Sequence, residues 1–136
     1  MISSTTTTVA TGPALSGPYT RLRGKLCVLR KRASFLAAAR ARRESAPGLM
    51  LQGRDRGDGD PAIRVGFTCS KKVGNAVARN RAKRRLRAVA REVLNDAGQP
   101  GWDYVLIGRA GQTATRPFAA LRDDLVQALH RLRRPR

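Results

Sequence analysis

The sequence predicts an α+β protein: a small α-β sandwich with a central, mostly antiparallel sheet of three to four strands and helices packed on it. Two amphipathic segments with helical period, residues 79–94 and the stretch after Pro117, supply helices. Two apolar runs, IRVGFTCS at 63–70 and WDYVLIGRA at 102–110, supply strands. In a chain of 136 residues these elements share one modest core, and helices on a small sheet are the economical way to form it.

Taken in order, residues 1–20 are rich in Ser, Thr, Gly and Pro and are expected to be a disordered tail. They have no basic start and no continuous apolar stretch, so they do not read as a secretory signal. Residues 21–136 are expected to form a single domain. Its first stretch, Arg21 to Arg43, holds nine Lys or Arg and no acid. KRASFLAAARARR favours a helix through its Ala and Arg, with Phe35, Leu36 and Ala39 on a short apolar face. Pro47 and Gly48 end it. GLMLQ is a candidate strand, and GRDRGDGDP an exposed turn or loop. In IRVGFTCS, Ile63, Val65, Phe67 and Cys69 face one way and Arg64, Gly66, Thr68 and Ser70 the other, as in a half-buried strand. KKVGNAVA leads into the basic helix, which runs to about Asn95, where NDAGQPG stops it. Pro117 opens the last helix, with Phe118, Leu121, Leu125, Leu129 and Leu132 on its apolar face.

The formal net charge of +19, from 28 basic and 9 acidic residues, calls for a polyanion. RNRAKRRLRAVAR, at 79–91, concentrates that charge: seven of its residues are Lys or Arg. On a helical wheel Ala82, Leu86, Val89 and Val93 form one buried stripe. Asn80, Arg84, Arg87 and Arg91 repeat the same steps on the opposite side, and Arg79, Lys83 and Arg85 flank the stripe. Guanidinium groups bind phosphate through two parallel hydrogen bonds, and an Asn adds directional bonds to a base edge or sugar. A cationic face of single sign also lacks the i,i+4 ion pairs that support a merely solvated helix. No apolar run approaches the length of a membrane span, and the apolar stripe lacks interfacial Trp or Phe, which argues against a membrane partner.

Catalytic constellations are not visible. His130 is a lone histidine on the last helix, and Asp123 and Asp124 diverge by about 100° on it. Asp55, Asp58 and Asp60 are spaced a little like a calcium loop but lack its completion, so they read as a polar turn. GNAVARN lacks the Gly-Lys-Ser/Thr of a nucleotide-binding loop. Cys27 and Cys69 lie too far apart for a paired-Cys metal motif and read as plain thiols of a reducing cytoplasm. RNA is favoured over DNA as the partner: a helix-turn-helix needs a second helix where a strand falls, although aromatic content of 4% also excludes an RNA-recognition sheet.

RVGFTCSKKVGNAVARNRAKRRLR closely resembles the signature of the bacterial ribonuclease P protein component: a strand, Lys-Lys, Gly-Asn-Ala, then Arg-Asn-Arg followed by Lys-Arg and a further Arg. LRKRASFLAAAR resembles the family's first helix and DYVLIGRAG its last strand, so the likeness spans about Leu26 to Leu132. The resemblance implies a subunit of an endoribonuclease that removes the 5′ leader of precursor tRNA. Its partners would be ribonuclease P RNA and precursor tRNA, with no membrane and no obligate protein partner. Chemistry would belong to the RNA and its Mg2+, with no protein catalytic residues. The fold implied has a left-handed crossover carrying the Arg-Asn-Arg motif. Position by position, Arg79, Asn80, Arg81, Lys83, Arg84 and Arg87 would face the RNA subunit, and Arg91, on the same face of the wheel, is expected to join them. Phe35, Thr68, Lys71 and Lys72 would line a cleft for the single-stranded leader, although Phe35 is equally a core candidate. Two departures weaken the cleft: Ala39 stands where many members carry a second aromatic, and the GLMLQ strand lacks the tyrosine of some relatives. The alternative is a ribosomal or other structured-RNA-binding protein without a processing role.

Overall fold

The computed structural model describes residues 26–134, so the expected tail at 1–20 lies outside the described residues. The elements are β1 (Leu26–Val28), α1 (Arg32–Arg40), β2 (Arg42–Ser45), β3 (Leu49–Asp55), β4 (Ile63–Thr68), a single 3₁₀ turn (Lys71–Val73), α2 (Ala76–Ala97), β5 (Trp102–Gly108) and α3 (Phe118–Arg133). The strands form one five-stranded sheet in the order β1-β4-β5-β3-β2.

This corrects the expected sheet of three to four mostly antiparallel strands. β1 pairs parallel with β4, and β4 parallel with β5, while β5–β3 and β3–β2 are antiparallel. The missed strands are the two edges, β1 and β2. Arg42–Ser45 falls partly in the segment expected to be helical, but α1 stops at Arg40. Its Arg-rich sequence has good helix propensity, which here yields to the backbone ladder offered by β3, with Arg43 opposite Gln52 and Ser45 opposite Met50. Leu26–Val28 is too short to show a period, and its pairing with Ile63–Val65 decides its state.

The sheet is covered on both faces. On one, α2 and α3 pack Leu86, Val89, Val93, Leu121, Leu125 and Leu129 against Leu51, Val65, Tyr104 and Leu106. On the other, α1 lays Ala38 and Phe35 over Leu29 and Val105. Strand β4 is therefore not half-buried as its alternation suggested: Gly66, on the supposed solvent face, is buried. A Cβ at Gly66 would lie 2.5 Å from the Phe35 ring, so only glycine lets α1 come this close. Phe67 and Cys69 point toward the main core with Ile63 and Val65 but are only partly buried.

The Gly- and Asp-rich turn also differs from expectation. Gly53–Asp55 belong to β3, and the loop beyond is built around a buried arginine. The Arg56 guanidinium donates to the carbonyls of Trp102 (3.1 Å), Asp60 (2.8 Å) and Ala62 (2.7 Å) and to the Asp103 carboxylate (2.8 Å). Asp103 also receives two bonds of 2.6 Å from Arg64 across the β4–β5 pair. Asp58 is held ionised to lower pH than usual, first by the backbone N–H of Asp60 and also by Arg56. Asp124, which diverges from Asp123 as expected, is buried: it accepts the Gly48 N–H at 3.1 Å and pairs with Arg116 at 2.6 Å, while Asp123 is exposed.

Candidate RNA-binding surface

Both ends of the β4–α2 connection are shaped by local chemistry. The Ser70 hydroxyl accepts the Lys72 N–H at 3.3 Å and starts the 3₁₀ turn, which leaves Lys71 and Lys72 exposed. Gly74 follows at φ 141, where a Cβ would also meet Ala78 at 2.8 Å. Asn75 then caps α2, its Oδ1 accepting the Ala78 N–H at 3.0 Å. The helix begins at Ala76, so part of the stretch expected as a connection is its first turn. The Gly-Asn pair in the sequence is the signal for that boundary.

Within α2 the buried residues are Ala82, Leu86, Val89, Ala90, Val93 and Leu94, which contains the stripe expected from the wheel. At about 100° per residue, Arg79, Lys83, Arg87, Asn80, Arg91, Arg84 and Arg81 fan in that order across about 200° of the circumference. Asn80, Arg81 and Arg84 are exposed, while Arg79, Lys83 and Arg87, toward the buried stripe, and Arg91, farther along the helix, are partly buried. Among the described residues the ion pairs are Arg56–Asp58, Arg56–Asp103, Arg64–Asp103, Arg116–Asp124, Arg122–Glu92 and Arg131–Glu44; none uses a cation of α2. Arg85 differs from the fan, since its guanidinium donates to the Arg116 carbonyl and ties α2 to the loop before α3.

The fan adjoins the end of β4. Arg79 and Lys83 act electrostatically on the Cys69 thiol, whose pKa is nevertheless raised by burial. Lys71 and Lys72 continue the cationic edge beyond it. Acidic residues gather at the other end of the sheet: Asp55 closes β3, Asp58 and Asp60 sit in the following loop, and Asp103 is the second residue of β5. At that end Arg56 and Arg64 neutralise Asp58 and Asp103, whereas none of the ion pairs among the described residues uses Lys71, Lys72 or a cation of α2.

Between α1 and the sheet lies a second surface. Thr68 is partly buried opposite Ile107, and Ile107 pairs in turn with Met50. Phe35 packs on Leu29, Ala38 and Val105 yet remains partly exposed, so it is both core and surface. Ile107 and Met50 add an apolar floor that was not singled out from sequence. Alternation within LMLQ and YVLIG was the available signal for each residue's face, but only the β3–β5 register puts the two side by side. Ala39 is exposed on α1 and Leu36 is 46% exposed. His130 is exposed on α3, as expected of a residue outside the core.

The model of the family described as Ribonuclease P matches residues 24–133. The chain belongs to the ribonuclease P protein family. It is 65% identical over 112 residues to the ribonuclease P protein component of Ruegeria pomeroyi, covering 82% of this chain and 90% of that protein. It is 54% identical over 101 residues to that of Caulobacter vibrioides, covering 74% of this chain and 67% of that one. The solved ribonuclease P protein of Thermotoga maritima superposes with a TM-score of 0.66 at 25% identity, over 78% of this chain and 97% of that one. The Staphylococcus aureus protein, at 20% identity and a TM-score of 0.63 over 78% and 94%, shares the fold. As a ribonuclease P protein this chain is a subunit of a ribonucleoprotein endoribonuclease of tRNA processing, which implies a ribonuclease P RNA partner. No helix among the described residues is long and apolar enough to cross a membrane.

Proposed function

We propose that α2 is the face this ribonuclease P protein turns to its RNA, through Arg79, Asn80, Arg81, Lys83, Arg84, Arg87 and Arg91, and that the α1–sheet cleft takes the 5′ leader of precursor tRNA. The observation that carries the reading is the α2 fan itself: cations of one sign, with no ion pair to any described carboxylate. Holding such a row together is unfavourable until an external anion neutralises it, and closely spaced phosphates do so. The leader reading is supported by Phe35, whose ring is fixed against Gly66 yet partly open, and by the run Thr68, Lys71, Lys72 leading from that ring to α2. A single strand fits this chemistry, bases stacking on the ring and phosphates following the lysines. One continuous surface would then contact both RNAs and hold the cleavage site between them.

In this reading the hydrolysis and its Mg2+ belong to the RNA. The protein's part is to bind and orient the two RNAs through the α2 cations and the α1–sheet surface. The β4–α2–β5 crossover joins adjacent parallel strands, and family resemblance assigns it the left-handed sense. The working compartment is the cytoplasm. The test is cleavage of precursor tRNA by ribonuclease P RNA at low magnesium, with and without the protein. A gain in 5′-end formation is expected. No gain, with RNA binding retained, would instead indicate a structured-RNA binder without a processing role.

A further inference from the structure

Arg87 and Phe67 come from different elements, α2 and β4, and meet. The Arg87 guanidinium carbon lies over the Phe67 ring, 5.4 Å from its centroid. Phe67 is partly buried and packs against the main core, so the ring is a fixed platform. Arg87 is also partly buried, yet no carboxylate among the described residues pairs with it. The buried arginine nitrogens without a hydrogen bond are the Nε atoms of Arg42, Arg79 and Arg85; Arg87 contributes none.

A guanidinium has two separable faces of chemistry. Its flat π face is attracted to an aromatic ring, and its edge carries the N–H donors in a fork that matches phosphate. The Arg87 guanidinium carbon sits over the Phe67 ring, and no described carboxylate takes up its N–H donors. Arg85 illustrates the opposite use, with its fork tied to the Arg116 carbonyl. A long side chain held in advance loses less freedom when its ligand arrives, so part of the ordering is completed on folding.

We propose that Phe67 is a positioning residue for RNA binding: its ring holds the Arg87 guanidinium with the donor fork directed outward, ready for two-point bonding to a phosphate of the RNA. This deepens the reading of α2 as the RNA face and rests on it. The alternating pattern in IRVGFTCS assigns Phe67 only to the core; the contact with α2 adds its second role.

The experiment measures the affinity of the full-length protein for ribonuclease P RNA across a salt series, in a double-mutant cycle of Phe67→Leu and Arg87→Ala, with melting temperatures as controls. Arg87→Ala should weaken binding and lower the log-log salt slope by about 0.7–0.9. Phe67→Leu should weaken binding by about three- to tenfold without changing the slope, because the phosphate contact survives while its preorganisation is lost. In the Arg87→Ala background, Phe67→Leu should cost less than about twofold. Phe67→Tyr, which keeps the ring face, should bind within about twofold of the parent. Phe67→Met repeats the cycle if Phe67→Leu unfolds, with the same coupling expected. An equal loss from Phe67→Leu in both backgrounds overturns the proposal and leaves Phe67 a packing residue. If Arg87→Ala changes neither affinity nor slope, the positioning role is overturned; Arg84→Ala then shows separately whether α2 is the RNA face.

Discussion

Asp103→Asn tests the tie that keeps the two parallel strands on either side of the α2 crossover together. Asp103 is fully buried, Arg56 is 2% exposed and Arg64 14%. The carboxylate receives bonds of 2.8, 2.6 and 2.6 Å from the two guanidinium groups. Each hydrogen bond to a charged group contributes about 1.5–3 kcal/mol, and these share one acceptor, so they do not add in full. Asn keeps the shape and one acceptor oxygen but removes the charge and turns an NH2 toward cations. The result is a poorly solvated Arg64 guanidinium that loses both bonds to a carboxylate, and an Arg56 left with the half-exposed Asp58 as its described counter-ion; losing the buried member of such a network costs about 3–5 kcal/mol. Against a total stability of about 5–15 kcal/mol, the loss is large. It corresponds to about 12–20 °C in melting temperature, at about 4 °C per kcal/mol. Urea titration followed by circular dichroism should give a lower midpoint with an unchanged slope. Ribonuclease P RNA at about 100 times Kd should raise the stability of both proteins by about 2.7 kcal/mol, because the substitution lies at the end of the sheet away from the N-terminal half of α2. A loss below about 1 kcal/mol would refute the reasoning, since the two arginines would then be adequately solvated without Asp103.

Three further outcomes are expected. Arg84→Ala combined with Arg87→Ala should flatten the salt dependence of RNA binding by about 1.4–1.8 units of log-log slope, and an unchanged slope would mean that neither side chain touches a phosphate. Phe35→Ala should weaken binding of leader-bearing precursor more than of mature tRNA, by about 1–3 kcal/mol; equal losses would leave the ring a purely packing role. Burial pushes the Tyr104 phenol up to about 12, although its oxygen accepts the Gln99 N–H at 3.0 Å. Its folded value lies above the unfolded value of about 10, so its contribution is complete below pH 10 and is lost as pH rises toward 12, by about 2–3 kcal/mol. Urea midpoints for the parent and Tyr104→Phe across that window should converge; parallel curves would show that Tyr104 does not titrate with unfolding.

The basic helix was more legible in the sequence than the sheet. The α2 stripe of Ala82, Leu86, Val89 and Val93 follows from helical period alone, and so does the cationic fan opposite it. The same holds for the Leu121, Leu125, Leu129 and Leu132 face of α3. The surface between α1 and the sheet was legible only in part. Phe35 and Thr68 were singled out by resemblance, while Met50 and Ile107 reach the same surface through the β3–β5 register, which no local pattern reports.

By itself, the sequence determined the α+β class, the two long amphipathic helices, the position of the basic face and the family. The helices and the basic face are written in periodicity within single segments, and the family follows from the resemblance carried by RVGFTCSKKVGNAVARNRAKRRLR. Tertiary structure alone decided that Leu26–Val28 and Arg42–Ser45 become edge strands, because their hydrogen-bond partners are supplied by distant strands. It also decided that Arg56 is buried beneath an Asp-rich loop, that Gly66 admits Phe35, and that Phe67 carries Arg87. Each is a contact between residues far apart in the chain, and its energy exists only once the sheet has brought them together.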